Sequence, residues 1–296
     1  MDKVAEYQSK GFTVLPQVFD AAAVTALRDE TVALAKGERG NLFGYDLVRG
    51  ATDEETLINI LAIHFPHKIS DLMHDTMFQP DVVKFLNALI GPDVKAMQSM
   101  LFVKAAGKPG HPWHQDEHFI PTRDQSLTGV WIALDDATIE NGCMWMHPGS
   151  HASGVIWPMK DHHDPRFDHN PVAYDFPYDE EGGEPVEVKA GDVAIFNGYT
   201  LHRSLQNNAK GGMRRALVYH YMNARSLLPW DMGPTPTLRK DYRDIVMISG
   251  EDPYAWKGTE QIIKPFLRPD DPEIEKQMAK RIQEKLKARE EREEQK

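Results

Sequence analysis

The chain has a single cysteine, no cluster of basic side chains and no apolar run of membrane-spanning length. Cys143 cannot form an internal disulfide, and one thiol excludes zinc sites that need two or more sulfur ligands. A membrane helix needs roughly 18 successive apolar residues, and a nucleic-acid surface needs grouped Lys and Arg, whereas the net charge is -11. We therefore expect a cytoplasmic protein whose partner is a small molecule, and neither a nucleic acid nor a membrane.

The 296 residues have an ordinary globular composition and suffice for one sizeable domain. Helical signals occupy the N-terminal part, about residues 1–92. Asp20 precedes AAAVTALRDETVALAKG as an N-cap and Gly37 follows as a stop, which predicts a helix over residues 20–36. A second helical region is expected over about residues 55–75, and a third in PDVVKFLNALIG.

After Pro92 the chain changes to short segments rich in β-branched and aromatic residues, separated by Gly, Pro and Asn turns. The segments are AMQSMLFVKAA, LTGVWIALDDAT, CMWMHPGSH, EPVEVKAGDVAIFNG, TLHRSLQN and RRALVYHYMNA. Short strands without intervening helices predict an antiparallel sandwich or barrel, here over about residues 93–225. Residues 1–270 then form a single domain, with residues 226–270 as a C-terminal extension.

Two polar segments stand apart from this pattern. Residues 158–188 form a long Pro-rich insertion, for which a lid over the mouth of the core and a solvated decoration are equal alternatives. Residues 271–296 predict a charged helical tail with one narrow apolar stripe, whose members are Ile274, Met278, Ile282 and Leu286. We expect a solvated helix; the alternative is that the stripe docks on the body or on a second subunit of a homo-oligomer.

The densest chemistry lies in HPWHQDEHFI, residues 111–120. In an extended strand His114 and Asp116 point to the same face, and Gln115 to the other. A zincin-type helix would instead pair His114 with His118, but it needs a Glu directly after the first His, where Gln115 stands. The spacing therefore favours a His-x-Asp pair of metal ligands.

A third ligand has to come from elsewhere in the chain, and His202 begins a strand-like stretch in the second half of the β-rich region. Two His and one carboxylate form the facial arrangement typical of non-haem Fe(II). Arg214 follows on the next predicted strand, and a guanidinium there could hold a dicarboxylate by a bidentate contact. The remaining histidines are not expected to be ligands.

These motifs together resemble the phytanoyl-CoA dioxygenase family of Fe(II)- and 2-oxoglutarate-dependent oxygenases, over about residues 5–225. The resemblance is carried by GFTVLPQVF, MLFVK, WHQD, VWIALDDATIENGCMWMHPGSH, AGDVAIFNG, and LHRS with the downstream RRA. It implies a mainly β fold with flanking helices, built on a double-stranded β-helix core of the jelly-roll, cupin-like type.

The resemblance also assigns site residues. It implies iron ligation by His114, Asp116 and His202, and contact with 2-oxoglutarate by Arg214, Ser204, Met100, Trp131 and Lys68. In this assignment Arg214 holds the distal carboxylate and Ser204 assists it. The stretch between His202 and Arg214 is one residue longer than is usual in the family, so Arg215 remains the alternative.

The implied activity is hydroxylation of an aliphatic C–H bond of a small molecule, with Fe(II), 2-oxoglutarate and O2 as cofactor and cosubstrates and with succinate and CO2 as products. The carboxylate of Asp116 argues against halogenation, because related halogenases leave that position open for chloride. Substrate contacts are expected from His118, Phe119, Arg123, Trp113 and Tyr221. Glu117 is expected at the rim, and His111 is expected to be structural.

Other outcomes of the same chemistry stay open at this stage, including desaturation, ring formation and epoxidation. Two rival functions also stay open: a non-catalytic metal-binding β-barrel, and a cupin-type metalloenzyme that does not use 2-oxoglutarate. The acidic chain lacks an obvious basic patch for the phosphates of coenzyme A, which favours a polar or amphipathic small molecule over an acyl-CoA.

Overall fold

The computed structural model describes residues 2–40, 42, 52–226, 245–259, 263–269 and 280. Its helices are α1 (Lys3–Lys10), α2 (Ala21–Ala35), α3 (Asp53–Leu57), α4 (Asp71–Thr76), α5 (Pro80–Ile90) and α6 (Asp116–Phe119), with 3-10 helices at Pro66–Lys68, Ser150–Ser153 and Ala255–Lys257. Apart from Lys280, the predicted tail helix lies outside the described residues, and so does its whole apolar stripe. No helix in the described part of the chain is both long and apolar enough to span a membrane.

The strands are β1 (Phe12–Leu15), β2 (Ile60–His64), β3 (Val94–Ala105), β4 (His111–His114), β5 (Thr128–Ala133), β6 (Met144–Met146), β7 (Met159–Lys160), β8 (Val172–Ala173), β9 (Glu184–Val186), β10 (Val193–Asn197), β11 (His202–Ser204), β12 (Met213–Asn223), β13 (Val246–Ser249) and β14 (Phe266–Pro269). Each of the six segments predicted to be β-rich contains at least one of these strands. The strand predictions after Pro92 are therefore confirmed.

The helix predictions are confirmed at two places and wrong at one. Asp20 caps α2 by accepting a hydrogen bond from the backbone N–H of Ala23, and Gly37 ends it with a φ of +72°. The helix α5 spans the third predicted segment. Residues 55–75 are not one helical region, because the apolar run Ile60–His64 forms β2 and pairs with β3 and β14 instead.

Two antiparallel sheets make the core. The large sheet has the order β1-β10-β5-β12-β3-β2-β14, with β13 also paired to β3, and the small sheet has the order β4-β11-β6-β9. The arrangement is the predicted jelly-roll, mainly β with flanking helices. The sheet extends beyond the predicted core of residues 93–225, since β1 and β2 join it from the N-terminal part and β13 and β14 from the C-terminal extension.

Each face of the large sheet has its own apolar cluster. Alternate residues of β12, among them Leu217, Tyr219 and Tyr221, pack with the helices in the larger cluster. The intervening residues Ala216 and Val218 belong to a second cluster, which includes Met144 and Met146 of the small sheet. Alternation along one strand thus separates a helix-packed core from the interior between the sheets.

The insertion 158–188 is anchored on the small sheet. The indole N–H of Trp113 donates to the carbonyl of Glu180 at 2.8 Å, and the Arg203 guanidinium donates to the same carbonyl at 2.8 Å. The guanidinium of Arg203 also lies 4.6 Å from the centre of the Trp113 ring. The insertion is therefore attached to the small sheet through Glu180, although most of its residues are exposed or half-buried.

Gly110 lies between this insertion and the small sheet. Its backbone N–H donates to the backbone carbonyl of Arg166, and its own carbonyl accepts from the backbone N–H of Asp168. A Cβ at this position would overlap the backbone of Ser204 and Leu205. We expect Gly110→Ala to lower the free energy of unfolding by about 1–3 kcal/mol or more, because the backbone would have to move apart. Urea unfolding measures this.

The matched control is Gly211→Ala, since a Cβ at Gly211 meets no described atom within 4 Å. Equal unfolding free energies for the Gly110→Ala variant and the control would contradict the close packing.

Candidate metal centre and adjoining cavity

His114 and His202 face each other on neighbouring strands of the small sheet. They are direct cross-strand partners of β4 and β11, and their ring centres are 4.0 Å apart. The Nδ1 atom of His114 lies 2.9 Å from the carbonyl of Pro112, and Nδ1 of His202 lies 2.9 Å from the carbonyl of Thr200. A carbonyl only accepts, so each Nδ1 carries the proton and each Nε2 keeps its lone pair.

Asp116 is close to both rings. It does not lie on the strand, however, although the alternation of strand side chains predicts that it does. The strand β4 ends at His114, Gln115 stays extended, and Asp116 is the first residue of α6. The Gln115 amide is fixed from the other side, donating to the carbonyls of Tyr199 at 2.7 Å and Val155 at 2.9 Å. The chain turn at Gln115, and not a regular strand, aims the Asp116 carboxylate.

Three ligand atoms converge at this point. Oδ1 of Asp116 lies 3.7 Å from Nε2 of His114 and 3.7 Å from Nε2 of His202, and the three atoms lie within 4.8 Å of one another. Two imidazole nitrogens and one carboxylate oxygen at these separations could hold a metal ion. Among the described residues, this is the group of His, Cys, Asp and Glu side chains whose ligand atoms lie that close to one another.

His220 on β12 completes the surroundings of Asp116, and sequence reasoning missed it. Its Nε2 donates to Oδ2 of Asp116 at 3.0 Å, so Oδ1 is the oxygen left toward the imidazoles. Alternation along β12 could have indicated it, because His220 falls on the same face as Arg214. It had been set aside as a histidine that does not bind metal, and it does not belong to the converging group.

The charge states suit metal binding. Burial lowers the pKa of both His114 and His202, which keeps their rings neutral. Burial alone would raise the pKa of Asp116, but His220 and His202 outweigh it and hold that pKa well below its usual value. A neutral imidazole and an ionised carboxylate are the forms that bind a cation.

A cavity of about 290 Å³ leads away from these residues between the two sheets. Arg214, Ser204, Met100 and Trp131 all line it, as the resemblance implied. The guanidinium of Arg214 is buried and lies 5.4 Å from the centre of the Trp131 ring. Burial lowers the pKa of Arg214 to about 10, so the group remains a cation at neutral pH.

The alternative Arg215 points to the opposite face of β12. Its Nε donates to Oδ2 of Asp135 at 2.8 Å, and a second nitrogen donates to Oδ1 of the same carboxylate at 2.8 Å. Asp135 thus occupies the guanidinium of Arg215 outside the cavity. Of the two arginines, the structure brings Arg214 to the cavity.

Lys68 does not line the cavity, contrary to the contact with 2-oxoglutarate that the resemblance implied. It lies in the 3-10 helix Pro66–Lys68, where its ammonium donates to the carbonyl of Ile263 at 2.7 Å and lies 5.3 Å from the Phe65 ring. The residues just before it that do line the cavity are Leu61 and His64 of β2. The unpredicted strand accounts for the error.

The expected substrate residues are mostly elsewhere. Phe119 lines the cavity, whereas His118 and Arg123 are exposed and absent from its walls. Trp113 packs against the insertion, and Tyr221 lies in the helix-packed core with its hydroxyl donating to Met77 at 3.1 Å.

One further expectation near the metal ligands also needs correction, and it concerns Glu117. Glu117 is not at a rim, because it is buried and accepts hydrogen bonds from Thr122. His111 lines the cavity and bonds to Asp168 at 2.7 Å through Nδ1. The cavity is also lined by residues that the sequence did not suggest: Leu61, Gln98, Ile120, Asn170 and Arg268.

We expect His220→Phe to weaken Mn(II) or Fe(II) binding by about 10- to 100-fold, because Asp116 loses the donor that orients its carboxylate. The measurement is anaerobic calorimetric titration of metal. His118→Phe, on the exposed side of α6, is the control and should bind metal as the unaltered protein does. An unchanged metal affinity in His220→Phe would contradict the orienting role.

A family model described as "Phytanoyl-CoA dioxygenase (PhyH)" matches residues 7–216 of the chain. "Phytanoyl-CoA dioxygenase 1" of Oryza sativa subsp. japonica is 35% identical over 162 residues, which are 54% of this chain and 56% of the rice protein. "Phytanoyl-CoA dioxygenase, peroxisomal" of Homo sapiens is 27% identical over 239 residues, covering 74% of this chain and 67% of the human protein. The chain thus spans about half the length of the rice relative.

Solved structures share the fold. The non-heme monooxygenase ThoJ, in its apo form, has a TM-score of 0.65 at 19% identity and covers 99% of this chain and 98% of its own. EvdO2 from Micromonospora carbonacea var. aurantiaca, complexed with 2-oxoglutarate, has a TM-score of 0.58 at 22% identity and covers 78% of this chain and 94% of its own. At these identities the likeness concerns the fold alone.

Proposed function

Because this chain belongs to the phytanoyl-CoA dioxygenase family, we propose that it is an Fe(II)- and 2-oxoglutarate-dependent oxygenase. One observation carries the proposal: a group of two imidazoles and a carboxylate and a buried arginine line the same cavity. The two imidazoles and the carboxylate suit Fe(II), and the guanidinium suits the far carboxylate of a 2-oxo dicarboxylate. Neither rival function needs both.

The iron would be held by Nε2 of His114, Nε2 of His202 and Oδ1 of Asp116. Two imidazoles and one carboxylate are the donors of the facial arrangement typical of non-haem Fe(II), and such a set would leave room for further ligands. Iron bound there would supply the redox chemistry that couples the conversion of 2-oxoglutarate to succinate and CO2 with oxidation of a substrate by O2. The chain contributes the orientation of the donors, through the bonds of His220, Pro112 and Thr200.

The 2-oxoglutarate would lie between the metal and Arg214, with its distal carboxylate on the guanidinium. Ser204, Met100 and Trp131 line the same part of the cavity. Trp131 and Met100 present apolar surface to the two methylene groups of the cosubstrate, while Ser204 offers a hydroxyl. Lys68 is not part of this proposal.

The reaction that we propose is hydroxylation of an aliphatic C–H bond of an amphipathic small molecule. The walls of the cavity combine apolar side chains, among them Leu61, Phe119 and Ile120, with a few polar ones. Such walls exclude water and would hold the carbon atom near the metal. Location in the cytoplasm and assembly as a homo-oligomer stay predictions.

Anaerobic addition of Fe(II) and 2-oxoglutarate should produce a visible charge-transfer absorption, because the cosubstrate chelates the iron. Admission of O2 with a metabolite library should then release succinate, and labelled O2 should enter the product when the reaction is hydroxylation. A metal-binding barrel without activity, or a cupin-type enzyme without 2-oxoglutarate, would give neither the absorption nor the succinate. That result would overturn the proposal.

Arg214→Ala should weaken 2-oxoglutarate binding by at least about 30-fold, which corresponds to about 2 kcal/mol for a lost charged hydrogen bond. Metal binding should change little, because Arg214 is not among the converging ligands. Arg215→Ala is the matched control, since its guanidinium is paired with Asp135. Titration of 2-oxoglutarate into the Mn(II)-loaded variants compares them, and a larger loss in Arg215→Ala would reverse the assignment.

A further inference from the structure

Lys104 is a buried lysine in the wall of the same cavity. It lies on β3 directly opposite Arg214 of β12, and its side chain lines the cavity. Its ammonium donates to the hydroxyl of Ser204 at 2.8 Å and to the carbonyl of Leu205 at 2.6 Å. A buried ammonium is costly to keep away from water, so its presence beside a second buried cation calls for a reason.

The hydrogen bonds of Ser204 give one part of that reason. Its hydroxyl oxygen accepts from the Lys104 ammonium and also from the backbone N–H of His111 at 3.2 Å. A serine oxygen has two lone pairs and one proton. With both lone pairs used, the proton of Ser204 is left for a further acceptor, and Ser204 lines the cavity.

The local charge gives the other part. Within the described part of the chain, no carboxylate lies within 4.0 Å of the Lys104 ammonium or the Arg214 guanidinium as an ion pair. Burial, and then the neighbouring Arg214, lower the pKa of Lys104. Asp168, which lines the same cavity, partly opposes the lowering, but it forms no ion pair with Lys104. An anionic group bound beside Lys104 and Arg214 would offset both effects, because it would face two cations that no carboxylate contacts directly.

We propose that Lys104 is a positioning residue for the distal carboxylate of 2-oxoglutarate: it turns Ser204 into a hydrogen-bond donor and adds a second positive charge beside Arg214. This inference rests on the proposed function. Lys104 acts through Ser204 and through its charge, and its own hydrogens remain on Ser204 and on the carbonyls of Leu205 and Gly142. The anchor then comprises three side chains from three strands, β3, β11 and β12.

The test compares two 2-oxo acids in the Mn(II)-loaded protein without O2, by calorimetric titration. The first is 2-oxoglutarate, and the second is 2-oxovalerate, which has the same five-carbon chain without the distal carboxylate. Lys104→Met should raise the Kd of 2-oxoglutarate by about tenfold or more. The Kd of 2-oxovalerate should stay within about twofold, because that ligand has no distal carboxylate for the anchor to bind.

Lys95→Met is the matched control, because Lys95 is equally buried on β3 and lies near Tyr254, away from the cavity. It should leave both constants unchanged. In the double variant Lys104→Met with Ser204→Ala, the factor by which the Kd of 2-oxoglutarate rises should be smaller than the product of the two single factors. Both substitutions remove the same donor, the Ser204 hydroxyl. If Lys104→Met does not fold, Lys104→Gln removes the charge and has the same expected outcome.

The outcomes separate the two proposals. If the unaltered protein does not bind 2-oxoglutarate, the proposed function and this inference both fail. If it binds 2-oxoglutarate and Lys104→Met binds it equally well, only the inference about Lys104 fails. Equal weakening of both 2-oxo acids, or selective weakening in Lys95→Met as well, would mean a general structural effect and would also overturn it.

Discussion

The buried carboxylate of Asp116 is the charge on which the arrangement of the interior depends. An anion held away from water is stable only when donors or positive charge face it. His220 of the large sheet satisfies one oxygen, and the other faces the imidazoles of His114 and His202 on the small sheet. The centre therefore exists only when the two sheets pack together, which links the site to the fold as a whole.

The cavity is lined by groups of both charges. Its walls include the ionised carboxylate of Asp116 with two neutral imidazoles, and also the cations Arg214 and Lys104. Arg214 forms no ion pair with Asp116, so the two charges do not neutralise each other by contact. A ligand that binds a metal at one end and carries a carboxylate at the other fits this distribution of charge.

Segments that are distant in sequence meet in one part of the cavity wall. The strand β14 pairs with β2, and Arg268 of β14 donates to the Asn170 side chain of the insertion at 3.2 Å. Asn170 in turn contacts Asp168, which bonds to His111. This chain of contacts joins the C-terminal extension, the insertion and the small sheet around one part of the cavity wall, which explains why no single motif predicted that part.

The sequence by itself determined the features that neighbours along the chain encode. The capping of α2 and the strands after Pro92 follow from local propensity and spacing. The spacing also identified His114 and Asp116 as a pair, although Asp116 lies at the start of α6 and not on the strand. Only the tertiary structure decided that Arg214 faces the cavity and Arg215 does not, that Ile60–His64 is a strand, and that His220 and Lys104 join the site. The reason is physical: strand pairing and sheet packing depend on contacts between residues far apart in the chain, and local pattern does not record them.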